Sequence, residues 1–420
     1  MGFSSNTRTT TLGVLIVAAA GVILLLLVLV RDWGQVSITP TLTGQTENCL
    51  TCHNGIEPIS TAHSIEEFGC VSCHGGERLA LDADSAHSGM VSNPAALDTA
   101  QQYCGNCHPA QVVTVQRSIM TTYAGAIGSI RRAFGLQPDN TAQYAVQAVG
   151  HLQAFAPTDD DPQAVHTFSE NCLTCHIDGE GLSADYFYRS TGCATCHVLY
   201  ADNGLYVGGD PTISRTEAGH AQTHQFTTAI PYTQCNHCHN RGNYDLRTMT
   251  FVPRDDMPTE MNSAGDQRVH DYYQPISQFT RCEWELDCID CHTSHEIMGD
   301  AVLYNDRSEA QYTQCQTCHG TLAAPPLERV ISTADDPALR LANLNPLVDL
   351  SVGDTLLVTE RGEPLYNIRQ IADEWVLTGK ATGETYVVPL VQGSTCQQDV
   401  NNQVSSACHQ CHADDRSPTP

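Results

Sequence analysis

Nine times along the chain, two cysteines three residues apart are followed at once by a histidine. The sets are Cys49/Cys52/His53, Cys70/Cys73/His74, Cys104/Cys107/His108, Cys172/Cys175/His176, Cys193/Cys196/His197, Cys235/Cys238/His239, Cys288/Cys291/His292, Cys315/Cys318/His319 and Cys408/Cys411/His412. Two thiols at that spacing sit on one turn of chain, where each can add to a vinyl group of a haem. The adjacent imidazole then faces the iron as its proximal ligand. A zinc ribbon or a disulfide scaffold also pairs cysteines, but neither requires a His directly after each second Cys. The chemistry expected is therefore covalent attachment of nine c-type haems, using eighteen of the twenty cysteines.

A low-spin electron-transfer haem usually takes a second axial imidazole, and the chain can be audited for donors. Of nineteen His, ten lie outside the proximal positions. His237 and His409 sit inside CNHCH and CHQCH, where the intervening positions are crowded, so they rank last. That leaves His63, His87, His151, His166, His220, His224, His270 and His295 as distal candidates, eight for nine irons. One iron is then five-coordinate, or takes a crowded His or a Met; Met90, Met120 and Met298 are the Met candidates, against their ordinary use in packing. Cys282 and Cys396 remain. They either form a disulfide or stay two separate buried thiols, since nothing in the sequence fixes their distance.

The elements that must position these groups read as follows. Eight motifs fall between Cys49 and His319, roughly 34 residues for each, too few for a separate apolar core around every one. The expected fold is a multihaem cytochrome c: mostly short α-helices and irregular loops wrapped around stacked haems, an N-terminal transmembrane helix, and a small antiparallel β insert near the C-terminus. Residues 12–30 are nineteen apolar or Gly residues without a charge, which as a helix span about 28 Å, close to the hydrocarbon thickness. They are read as a membrane anchor, with 1–11 as a cytoplasmic N-terminus and 31–47 as a tether. Residues 48–344 form the multihaem domain, 345–392 the β meander, and 393–420 the C-terminal segment with the ninth motif. A three-haem module is duplicated at 47–108 and 170–239, since residues 47–53 and 170–176 both read ENCLTCH. Residues 110–134 and 141–155, rich in Ala, Val and Gln, are expected to be the longest soluble helices, with Asp139 and Asn140 as caps. The net charge of -27, from 47 acidic against 20 basic residues, excludes nucleic acid as a natural partner.

The motifs from Cys49 to His412, with segments such as GCATCHVLYADNGLY, QCNHCHN and CIDCHTSHEIMGD, resemble membrane-anchored multihaem cytochromes of respiratory and extracellular electron transfer. An N-terminal anchor followed by CxxCH motifs is also similar to the much shorter NapC/NirT-type quinol dehydrogenases. The haem density resembles the octahaem tetrathionate reductase and hydroxylamine oxidoreductase group, but the CxxCK that marks the active haem of its tetrathionate reductases is absent here. These resemblances imply single-pass attachment to the cytoplasmic membrane with the haem domain facing the periplasm or cell exterior. They imply electron transfer through mainly bis-His haems, from a quinol or cytochrome donor at the membrane to an outer acceptor protein or mineral, with oligomer or filament formation left open. The alternatives are a reductase of a nitrogen or sulfur oxyanion at one open haem, which would make the protein an oxidoreductase rather than a carrier, and a quinol dehydrogenase at the membrane face.

Overall fold

The computed structural model describes residues 17–23, 34–179, 188–235, 237–239, 243–245, 250–252, 285–305 and 307–412. The chain divides into two units, one of residues 1–92 and 208–213, the other of 93–207 and 214–420.

The first unit is made of single helical turns. Ile65–Phe68 begins where the Ser64 hydroxyl accepts from the Glu67 amide, and it stops at Gly69. Val71–His74 stops at Gly75, whose φ of 69° lies where a glycine is favoured. Ala83–Ala86 is capped by the Asp82 carboxylate. No Val, Ile, Leu, Phe, Tyr or Trp side chain of this unit is buried among the described residues. The side chains that are buried include Glu47, Asn48 and Asp210.

The second unit has several apolar centres among the described residues. Helices Ala124–Ala133 and Gln163–Asn171 enclose Ile127, Ile130, Phe155, Val165, Phe168 and Leu173. Further along, β1 (Glu328–Val330), β2 (Thr355–Val358), β3 (Pro364–Ile371), β4 (Glu374–Thr378) and β5 (Thr385–Val388) form one antiparallel sheet in sequence order. Ile331, Leu356 and Val358 pack with Ala338 of helix Pro337–Asn343. Leu357, Leu365, Ile368, Trp375, Leu377 and Val388 form a separate cluster that Leu286 and Cys318 join, which seats the sheet on the seventh and eighth motifs. The sheet is larger than the meander expected over 345–392, because β1 pairs with β2 from outside that range.

Two expectations are corrected. Among the described residues no helix is long and apolar enough to cross a membrane, so the transmembrane anchor over 12–30 and the single-pass membrane localisation built on it are not supported. Of that run residues 17–23 are helical; the rest of the run lies outside the described residues. The long helices expected over 110–134 and 141–155 are also broken. The first is three pieces, Pro109–Arg117, Ile119–Thr122 and Ala124–Ala133. Ser118 leaves the helical region so that its hydroxyl can accept from the Thr121 amide, and Tyr123 takes a left-handed φ of 52°. In the second, Tyr144–Ala145 and Gln153–Ala154 pair as short parallel strands, and Asp139 accepts from the Thr141 amide in a local turn rather than capping a helix.

Candidate cofactor centres

Each motif is one tight turn. The His amide donates to the carbonyl of the first Cys at His53 (3.0 Å), His74 (2.9 Å), His108 (2.8 Å), His197 (3.2 Å), His239 (3.0 Å) and His292 (2.9 Å). A turn closed this way carries the first thiol and the imidazole on one face, with the second thiol a residue earlier than the ring. The two ENCLTCH copies give 3₁₀ turns, Cys49–Thr51 and Leu173–Cys175, while their followers give α-turns, Val71–His74 and Ala194–His197. Cys315–His319 is a short helix, and Cys408 and Cys411 lie in helix Ser405–His412. None of the nineteen described cysteines is in a disulfide. Cys396 is among them, whereas Cys282, and so the proposed pairing of the two, lies outside the described residues.

The second-position thiols differ in exposure. Cys52 and Cys107 are exposed, while their partners Cys49 and Cys104 are half-buried. In both motifs the second cysteine's amide donates to the first cysteine's carbonyl, at 3.2 Å for Cys52 and 3.1 Å for Cys107. Cys411, in the last motif, is exposed as well. Cys291 is half-buried at the end of helix Cys288–Cys291, and His292 just beyond it has a ψ of 132°. Cys52, Cys107 and Cys411 are thus the second-position thiols left exposed among the described residues. Elsewhere burial dominates: it raises the Cys73, Cys193 and Cys196 thiols, the last to about 11.

The second ring nitrogen of the motif histidines separates a ligand from an ordinary His. At His74 the Nδ1–H donates to the Val91 carbonyl at 2.8 Å, and Val91 returns its own amide to the His74 carbonyl at 2.8 Å. His197 is held the same way by Thr227, at 2.8 Å in both directions. At His319 the Pro389 carbonyl takes the ring N–H at 2.7 Å while the Val391 amide reaches the His319 carbonyl. A carbonyl can only accept, so each contact fixes the proton on Nδ1 and leaves the Nε2 lone pair available to a metal. Burial holds His197 below the ordinary imidazole value, and so favours its neutral, ligating form.

Two motif histidines have carboxylates in that place. His53 Nδ1 lies 2.7 Å from Asp210 Oδ2, and Asp210 is fully buried. His292 Nδ1 lies 3.5 Å from Glu296, whose charge is also shared with the amides of Thr293, Tyr312 and Thr313. Burial alone would raise the Glu296 carboxyl, but the His292 ring and the Thr313 and Thr293 amides bring it down to about 2. His176 departs from the pattern, since the Asp178 amide donates to its Nδ1 at 3.3 Å.

Thiols of different motifs meet. The Cys49 and Cys70 thiols share a hydrogen bond that lowers Cys49 to about 7, while the same bond and burial push Cys70 up. The Cys235 thiol shares a hydrogen bond with Cys288, and the Cys238 thiol one with Cys175. A Glu47 oxygen with the Cys49 and Cys70 sulfurs forms a three-donor set within 4.8 Å. One Glu47 oxygen, however, already accepts from the Cys70 amide at 2.7 Å and the Val71 amide at 3.3 Å, capping the second motif's turn.

The distal candidates are placed unevenly. The His87 and His53 ring centres are 6.0 Å apart, with planes 50° apart. His63 Nδ1 lies 2.9 Å from Ser60 Oγ, with its ring against Phe68. His166 is half-buried and its Nε2 lies 3.1 Å from the Thr158 carbonyl, so that nitrogen is already engaged. His295 Nδ1 lies 3.4 Å from Glu363, which arrives in the turn before β3. His151 is exposed, His220 and His224 are half-buried, and His270 lies outside the described residues. His237, ranked last from its sequence position, is buried with Nδ1 3.0 Å from the Gln234 carbonyl, the same tautomer-fixing contact as at the motif histidines. Asp210, Glu296, Glu363 and the carbonyls of Val91, Thr227 and Pro389 had no signal in the sequence, because nothing local marks a partner that arrives from elsewhere in the chain.

The donor set fits haem c. It offers paired thiols on one turn, an imidazole beside them and, at His53, His74, His197 and His319, a ring N–H already given to an acceptor. No protein-family model, curated protein or solved structure matches the chain.

Proposed function

We propose that this protein is a multihaem c-type cytochrome that passes electrons along a series of covalently held haems between a redox donor and an acceptor. The observation that carries the reading is the anchoring of Nδ1 at His74, His197 and His319 by backbone carbonyls, which presents Nε2 of three motif histidines as a ligand. A bound haem supplies a one-electron couple at its iron. The chain does the rest. The thiol pairs hold each group at a set place, and the carbonyls fix the ring orientation. Burial and neighbouring charge then tune the potential. The contacts Cys49 to Cys70, Cys175 to Cys238 and Cys235 to Cys288 support adjacent seating of the first with the second, the fourth with the sixth, and the sixth with the seventh group. Adjacent redox groups are what a conduit needs.

The test is the intact mass of the protein matured with haem, read after acid denaturation, together with carbon monoxide binding to the reduced form. The expected result is nine added haem masses and little carbon monoxide uptake. A chain carrying zinc and no haem would end the proposal. Stoichiometric carbon monoxide binding at one haem with turnover of nitrite, hydroxylamine or tetrathionate would replace the conduit with a reductase.

A further inference from the structure

His53 differs from the carbonyl-anchored motif histidines, and His87 differs from the other distal candidates. With metal–nitrogen bonds of about 2 Å and about 1 Å more from each nitrogen to its ring centre, two imidazoles on one metal stand about 6 Å apart. The His53 and His87 ring centres are 6.0 Å apart. The Nδ1 of His53 is taken by Asp210, so its Nε2 is the nitrogen left for a metal. The His87 ring nitrogens have no hydrogen-bond partner among the described residues.

Asp210 is built into place. Its other oxygen, Oδ1, accepts from the Thr212 amide at 2.9 Å and the Thr212 hydroxyl at 2.8 Å, leaving Oδ2 for the ring. The segment 208–213 that carries it is seated by close backbone contact. A Cβ on Gly55 would stand 2.8 Å from the Gly209 carbonyl oxygen, and one on Gly209 would stand 2.2 Å from that of Gly55. Only glycines at both positions allow this approach.

We infer that His53 and His87 are the two axial ligands of the first haem iron, and that Asp210, through His53, makes that iron the one with the lowest potential in the unit of residues 1–92 and 208–213. This rests on the motifs being haem-attachment sites. An anionic acceptor on the ring N–H raises the ligand's electron donation more than a neutral carbonyl does, which favours the oxidised iron. His74, the other motif histidine of this unit to which a ring acceptor is assigned, has a carbonyl there. Asp210 is thus a positioning and tuning residue and does not touch the iron.

The experiment uses the full haem-loaded chain. Electron paramagnetic resonance and a potentiometric titration are recorded on the wild type, His87→Ala, His87→Met and Asp210→Asn, with haem counted by mass. His87→Ala should convert one haem of nine to high spin, and free imidazole should restore it. His87→Met should keep that haem low-spin and raise its potential, which covers an Ala variant that fails to accumulate. Asp210→Asn should keep every spin state and shift one haem's potential upward, a change that a merely structural role would not produce. Nine loaded haems with spectra unmoved by either His87 substitution would overturn the ligand assignment while leaving the cytochrome reading intact. An unchanged titration in Asp210→Asn would overturn the tuning role. A wild-type chain that takes up no haem would overturn both this inference and the reading beneath it.

Discussion

The same seven residues, ENCLTCH, occur at 47–53 and 170–176, and the two copies are held in opposite ways. In the first, Glu47 and Asn48 are buried, at 1% and 5% exposure, while Leu50 is only half-buried. Glu47 caps the next motif's turn, and the Asn48 side chain donates to the Leu79 carbonyl. In the second, Glu170 and Asn171 are exposed on the end of helix Gln163–Asn171, and the buried residue is Leu173, packed with Val165, Phe168 and Ile127. One copy rests on polar contacts, the other on an apolar core. The difference teaches that the motif encodes only its turn, and that the surroundings must supply the stability. Around the first copy no apolar core exists among the described residues, so under the proposed function the flat apolar faces of haem would serve as one.

The largest expected effect follows directly. If haem is withheld, the region 34–92 should lose its structure altogether, while helices Ala124–Ala133 and Gln163–Asn171 keep their contacts. Hydrogen exchange on the unloaded full chain would show this as fast exchange in the first region against slow exchange in the helices. Equal protection of both regions would break the comparison.

Ile127→Ala should come next. Ile127 is fully buried, and truncating such a side chain costs about 2–5 kcal/mol. Chemical denaturation of the loaded protein should show the loss in probes on 124–173, with the first two haems' spectra unchanged.

A matched pair of substitutions sharpens the contrast. Glu47→Gln weakens the acceptor of two buried amide hydrogen bonds and should cost about 1–3 kcal/mol, whereas the identical change at Glu170, on an exposed surface, should stay within about 0.5 kcal/mol. Comparable denaturation midpoints for the two variants would show that the buried carboxylate is not what holds the first copy.

The smallest effect is one of pH. Ahead of the second copy, Asp161 accepts from the Thr158 amide and hydroxyl, and those bonds, led by the amide, hold its carboxyl below the ordinary carboxylate value. A depressed folded value means the contribution is present above the unfolded carboxylate range and is lost as pH falls through the folded one. The protection factor of the Thr158 amide, the exchange rate of the unfolded chain at the same pH divided by its own, should therefore fall on acidification below that range. In Asp161→Asn the protection factor should be small and nearly independent of pH there.

How much of this was legible can be judged residue by residue. The motif turns were, since in six of the nine the His amide closes the turn on the first Cys four residues back, and the types needed for haem attachment lie within five positions. The exposure of Cys52 and Cys107 was not, because it depends on what packs over the turn rather than on the turn itself. The sheet was legible in part, because β2 to β5 alternate and turn locally, but β1 was not, since its pairing with β2 spans the intervening helix Pro337–Asn343. The run 110–134 was misread because its composition favours helix, while one Ser hydroxyl and one left-handed Tyr, both local choices settled by packing, cut it twice.

What the sequence by itself determined is the chemistry: the nine thiol pairs, the nine imidazoles beside them, and the turn that brings them together, all encoded by spacing along a few residues. What only the tertiary structure decided is the partner of each ring. The acceptors for Nδ1 lie 17 residues away at His74, 30 at His197, 70 at His319 and 157 at His53. A carbonyl acceptor carries no residue signature at all, because every residue has one, and Asp210 is one of 47 acidic residues until the close approach of Gly55 and Gly209 puts it against His53. Spacing therefore sets which groups react, and folding sets how strongly each ring donates, because the charge and direction of a hydrogen-bond partner are properties of space rather than of order along the chain.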